Sequence, residues 1–150
     1  QLSERVWQHI GAEHDGYYIM DPGGAESSSG FTLRDFVRFG ELVRTGGAIE
    51  SKQIIPAAVI DKVLRGGDQD LFAKAGYKTL PGWSYKSQWW IRHLADRNCA
   101  VARGAHGQVL YVDPENELVI GRFGSAPKAP STLLDDIFLP MLDVITDRLS

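Results

Sequence analysis

The sequence has a single cysteine, Cys99. It can form no internal disulfide and leaves no room for a cysteine-based zinc site, and it fits a reducing or an oxidising compartment equally. Long apolar runs are missing as well: stretches such as 109–112 fall far short of the roughly 20 residues a membrane-spanning helix needs, so no membrane partner is expected. Positive charge is not in excess, because 16 Lys+Arg against 19 Asp+Glu give a net charge of −3. That balance has the wrong sign for a dedicated nucleic-acid binder. His9, His14, His93 and His106 sit in no HExxH or comparable spacing, so neither a metal nor another cofactor is expected. The chain begins at Gln1 rather than Met and enters a helix-like pattern within a few residues, which reads as a cut. A signal peptide would lie upstream of such a cut, so the compartment stays open.

What is present is an ordinary globular composition: 150 residues, 43% apolar and 23% charged, enough for one domain. Ser3 is placed to cap a short helix carrying Val6, Trp7 and Ile10, with Gly11 as its stop. Residues 12–31 contain Asp21-Pro22-Gly23-Gly24 and Ser27-Ser28-Ser29-Gly30 and read as a long surface loop. Thr32 opens the clearest amphipathic helix, with Leu33, Phe36, Val37, Phe39, Leu42 and Val43 at spacings of three and four and Gly46-Gly47 closing it. A second helix is expected from Pro56 to the stop at Gly66-Gly67, and a helical turn over 70–75. Strand character follows over 85–93, 100–103, 108–113 and 118–123, the last two forming a hairpin. Leu133 to Leu149 is helical in period, with Pro140 expected to kink or split it.

The order predicts an α+β fold: a mainly helical part over 1–82, then over 83–150 a three-stranded antiparallel meander and a C-terminal helix. Three strands leave two apolar edges, which implies that further strands come from elsewhere.

Local chemistry is sparse. Ser125-Ala126-Pro127-Lys128 has the spacing of a Ser-x-x-Lys nucleophile, but its prolines put it in a loop where lysine cannot stack beside serine. No Gly-x-Ser-x-Gly elbow occurs, and no local spacing argues for a Ser/His/Asp triad. Asp135 and Asp136 read as solvated surface carboxylates. In Gly104-Ala105-His106-Gly107 two glycines bracket a strand start beside a histidine. Such a place can aim a backbone N–H at an oxyanion, or it is simply a bend. Trp83, Trp89 and Trp90 could line an apolar wall, although neighbours on a strand must point to opposite faces.

Four ordered stretches carry a resemblance: Leu2 to Glu13, Ser29 to Gly40, Gln88-Trp89-Trp90, and Gly104-Ala-His-Gly-Gln-Val-Leu-Tyr-Val-Asp-Pro114. Together they resemble the C-terminal portion of the serine β-lactamase-like hydrolases, closest to the 6-aminohexanoate-dimer hydrolases and related esterases of the β-lactamase and penicillin-binding-protein superfamily. The resemblance implies a helical part joined to a five-stranded antiparallel sheet. It also implies a Ser-x-x-Lys nucleophile and a Tyr-x-Asn-type motif upstream of residue 1, since asparagine occurs only at Asn98 and Asn116, neither two residues after a tyrosine. The family's third motif, Lys-Thr-Gly or His-x-Gly, lands on Ala102-Arg103-Gly104, so Ala102 stands where Lys or His is usual. That departure argues for amide or ester substrates rather than β-lactams.

On this reading Ala105 supplies a backbone oxyanion N–H, and Gly104, His106, Trp89 or Trp90 contribute to the substrate wall. The expected partners are the N-terminal part of the same protein and a small-molecule amide or ester. The chain alone is expected to be inactive, because covalent catalysis needs the missing serine. The alternative is a non-catalytic binding module derived from the same fold, self-associating as a homodimer through an uncovered sheet edge.

Overall fold

The computed structural model describes residues 2–149, except for the side chains of Glu26 and Ser27. Helix α1 (Leu2–Arg5) is brief and passes into a 3-10 turn over Trp7–His9, so the expected first helix is broken in two. Residues 12–31, expected as loop, instead contain a hairpin of β1 (Tyr17–Met20) and β2 (Glu26–Gly30), paired Tyr17 to Gly30 and Tyr18 to Ser29 with a bulge at Ile19/Met20. Serine-rich β2 has little intrinsic strand preference. Its pairing is supported by β1 opposite and by the Tyr17 ring lying on Gly30, where a Cβ would collide.

Helix α2 (Leu33–Arg44) starts where Thr32 caps it, the hydroxyl accepting the Asp35 N–H at 3.2 Å. It ends where Gly47 donates to the Leu42 carbonyl at 2.8 Å, and Leu42 and Val43 on its inner face are buried. A two-residue pair, β3 (Ala48–Ile49) and β4 (Lys52–Gln53), leads to α3 (Ala57–Leu64), preceded by Pro56, and to α4 (Gln69–Ala73), which Asp68 caps.

The sheet has five strands against the three of the expected meander, all four stretches of strand character being laddered: β5 (Ser84–Lys86), β6 (Trp89–His93), β7 (Asn98–Arg103), β8 (Val109–Asp113) and β9 (Leu118–Arg122), antiparallel and in chain order. The single strand expected over 85–93 is a hairpin, turned at Ser87 and Gln88, whose φ values are +50° and +68°. Two residues of positive φ give the twist a tight hairpin needs, and they are ordinarily Asn and Gly. Ser-Gln carries no such signal. Strands that the three-stranded reading required from elsewhere are therefore supplied by this chain.

The sheet is covered on both faces. Side chains alternate across it, so Cys99, Val101, Val109 and Tyr111 pack with Leu80, Trp83, Phe138 and Leu142 on one side. Ala100, Leu110, Val112 and Ile91 pack with Val43, Ile60 and Val63 on the other. β8 is buried along its whole length, as its continuous apolar sequence requires. The final helix α5 (Asp135–Leu149) runs as one element through Pro140, so the chain is not split there. The carbonyl that loses its partner to proline is that of Asp136, on the exposed side, where water can bond it.

Candidate functional site

Residues 104–107 form a one-turn 3-10 bend between β7 and β8 rather than a strand start, with His106 at φ +58° and Gly107 at +87°. A Cβ at Gly107 would strike the Leu134 Cδ1 at 2.8 Å, so the left-handed conformation and the close packing both call for glycine. The bend is held on several sides. Gly104 N–H donates to the Gln108 carbonyl at 2.9 Å, and His106 N–H to the Ala129 carbonyl at 2.9 Å. The His106 carbonyl accepts from Ala126 N–H at 3.1 Å, while His106 Nδ1 donates to the Ala126 carbonyl at 2.7 Å. The Gln108 amide clamps Gly124 both ways, at 2.8 and 3.1 Å, and Arg122 Nη1 donates to the Gly107 carbonyl at 2.5 Å.

Within this scaffold Ala105 is exposed, and its N–H has no hydrogen-bond partner among the described residues. An unbonded N–H on an exposed residue of a tied-down bend is suited to an oxygen that gains negative charge.

Arg103, the last residue of β7, carries a side chain only 4% exposed that forms an ion pair with Asp135, itself 1% exposed. The expectation that Asp135 and Asp136 form a solvated pair fails at Asp135, which also accepts the Thr79 hydroxyl at 2.6 Å; Asp136 is exposed. The Arg103 guanidinium lies 5.3 Å from the Trp90 ring centre. Trp90 is in turn ringed by Phe72, Tyr77 and Tyr85 at 5.0 to 5.7 Å. Trp89 points the opposite way and stacks on Phe39 at 6.4 Å. The structure thus brings Trp90 to the end of β7 through Arg103 and leaves Trp89 on the other face of the sheet. His106 is exposed on the bend, and Trp83 is in the core.

A second arrangement has the atom order of nucleophile, base and orienting group, and nothing in the sequence spacing announced it. Ser84 Oγ lies 2.8 Å from His93 Nε2, and His93 Nδ1 lies 2.8 Å from Asn98 Oδ1. Asn98 Nδ2 donates to the Leu64 carbonyl at 3.0 Å, which fixes its oxygen toward His93 and makes Nδ1 the protonated nitrogen. Ser84 is fully buried, accepts the Gly67 N–H at 2.9 Å, and is covered by the Gly66 backbone. No substrate carbonyl can reach it there. The relay ties β5, β6 and β7 to the end of α3.

Ser125 and Lys128 lie in an extended loop, where no helix brings the amine beside the hydroxyl. Two depressions lie away from the 104–107 bend. One, of about 320 Å³, is lined by Asp61, Leu64, Arg65, Asn98, Pro114 and Glu115. The other, of about 620 Å³, runs between α2 and β9 over Leu33, Val37 and Gly121. No group of three or more His, Cys, Asp or Glu that could hold a metal occurs among the described residues, and no helix among them is long and apolar enough to cross a membrane.

No family model matches the chain. It is 29% identical over 130 residues to the 6-aminohexanoate-dimer hydrolase of Paenarthrobacter ureafaciens, covering 84% of this chain and 33% of that protein. A solved structure named "putative 6-aminohexanoate-dimer hydrolase" from Bacillus anthracis superposes with a TM-score of 0.78 at 31% identity, covering 99% of this chain and 37% of that one. An antiparallel meander between α2 and α3 on one face and α5 on the other, together with these matches, shows that the chain has the β-lactamase-like fold. Within that class it is similar to the 6-aminohexanoate-dimer hydrolases, and it spans about a third of the length of the two relatives.

Proposed function

We propose that the chain is the C-terminal part of a serine hydrolase that cleaves amide or ester bonds through an acyl-enzyme. In this reading an N-terminal part of the same protein supplies the Ser-x-x-Lys nucleophile and its tyrosine partner. The serine oxygen attacks the substrate carbonyl carbon, and the proton it loses passes to the leaving amine or alcohol. Water then hydrolyses the acyl-serine and restores the hydroxyl. The Ala105 N–H, with the N–H of that serine, holds the carbonyl oxygen while it carries negative charge. Gly104 leaves room for the substrate, and His106 and the Trp90 side of the sheet border it.

The observation that carries this reading is the exposed, unbonded Ala105 N–H on a bend whose neighbouring groups are tied down. Residues 104–106 of the bend are exposed, which fits a site completed by residues from outside the chain. The groove beside edge strand β9 similarly fits the docking of further sheet from the N-terminal part. Residues 1–150 alone are inactive on this reading.

The test mixes the chain with the separately produced N-terminal part, sizes the mixture by light scattering after gel filtration, and follows a chromogenic ester in the same fractions. Activity that appears only in the joint complex supports the reading. A chain that stays monomeric, inert and indifferent to the other part points to an autonomous binding module. A serine-reactive probe that labels the chain alone also refutes it.

A further inference from the structure

We propose that Arg103, acting through Asp135, is the positioning residue for the Ala105 N–H, a role that rests on the oxyanion reading of Ala105 given above. β7 ends at Arg103, whose register partner is Val109, and the chain leaves the ladder at the next residue. The side chain of that last laddered residue is enclosed between the Trp90 ring and Asp135. Asp135 is the first residue of α5 and is fixed by the Thr79 hydroxyl. Three separate segments, 77–80, the end of β7 and the start of α5, therefore meet at one guanidinium two residues before Ala105.

The contact is not a stability device. Guanidinium Nη2 reaches Asp135 Oδ1, but Nη1 is buried with no partner among the described residues. Buried polar groups are nearly always satisfied, and an apolar side chain of similar volume would fill the space without leaving an unused N–H. What an apolar chain cannot supply is direction. The planar guanidinium, held over the Trp90 ring and aimed at one carboxylate oxygen, fixes the end of β7 along the strand and across it. The other clamps on the bend, Gln108 to Gly124 and Arg122 to Gly107, hold its far side. Arg103 holds the near side.

The experiment uses the uniformly 15N-labelled full chain and compares Arg103→Met, Arg103→Lys, the double variant Arg103→Met with Asp135→Leu, and Arg92→Met as a control. Arg92 pairs with Asp143 at 2.7 Å and so also ties the sheet to α5, but away from the bend. In Arg103→Met we expect the Ala105 amide resonance to shift and its order parameter to fall. The exchange of the Gly104 and His106 amides should rise at least tenfold, whereas Arg92→Met leaves all three amides in place. The double variant should regain thermal stability without regaining the Ala105 resonance. If Arg103→Met does not fold, Arg103→Lys carries the test: it keeps the charge and loses the planar fork, and the Ala105 resonance should still move.

An Ala105 amide unmoved in the folded variants overturns the proposal, as does an equal disturbance by Arg92→Met or full recovery in the double variant. If the chain also reconstitutes a hydrolase, Arg103→Lys should lower kcat at least tenfold with KM unchanged. The amide measurements need no activity, so they stand whatever becomes of the oxyanion reading.

Discussion

Gly40 in α2 lies directly against Leu110 in β8: a Cβ on Gly40 would sit 2.8 Å from the Leu110 Cδ1 and 2.6 Å from the Val119 Cγ1. The helix can approach the sheet this closely only because that side chain is missing. Ala in place of Gly favours a helix interior by about 1 kcal/mol, whereas overfilling a packed core costs about 1–3 kcal/mol. Gly40→Ala is therefore expected to destabilise the chain by up to about 2 kcal/mol, read from the urea midpoint at unchanged m-value. An unchanged midpoint would mean that α2 slides without cost.

Asp35 predicts the acid limb of stability. Burial alone would raise its carboxyl, but the Glu13 N–H at 2.9 Å, the Thr32 hydroxyl at 2.8 Å, Arg38 at 2.8 Å and the His14 N–H at 3.2 Å outweigh it. The group is held well below its ordinary value of 3.8. A carboxyl depressed in the folded state stabilises the fold above its unfolded pKa and stops doing so as pH falls through the folded one. Stability should thus fall as pH drops below about 4, the range where an unfolded aspartate begins to protonate. In Asp35→Asn the slope of unfolding free energy against pH below 4 should flatten. A slope identical to that of the parent chain would assign the acid limb to other carboxylates.

Ser84→Ala separates the buried relay from catalysis. It strands the Gly67 N–H and removes the partner of His93 Nε2, a loss of roughly 1–3 kcal/mol for buried polar groups left unpaired. Hydrolysis by the reconstituted protein should persist at temperatures where the variant is folded. Abolished turnover in a fully folded variant would move the nucleophile to Ser84.

Cys99 should be silent to thiol reagents. It is fully buried, burial pushes its thiol up to about 12, and the Tyr111 hydroxyl donates to it at 3.1 Å. The reactive species is the thiolate, so labelling at pH 8 should proceed only at the rate of unfolding. Rapid labelling of folded chain would contradict the burial of β7.

The elements that announced themselves were those with long apolar periodicity. α2, α3 and α5 each repeat an apolar face over two turns or more, and glycines follow α2 and α3, so their position was legible. The β1–β2 hairpin was not, because serine and glycine in one strand look like a turn and its pairing depends on the partner opposite. The β5–β6 turn was hidden because Ser87 and Gln88 take positive φ without being glycine or asparagine. At the candidate site the paired glycines marked the bend, and adjacency on a strand put Trp89 and Trp90 on opposite faces. Nothing in the local sequence pairs Arg103 with Asp135, or Ser84 with His93 and Asn98. Those contacts join distant segments through the packing of sheet against helix.

The strand order has a further consequence, for kinetics. Each strand from β5 to β9 bonds only to strands adjacent to it in the sequence, so every pairing closes a short loop and little chain entropy is lost before the next strand is laid down. The sheet can zip up hairpin by hairpin, and the distant step is the docking of α2 across β8 and β9. Refolding should accordingly show an early phase in which the meander gains protection before α2 does.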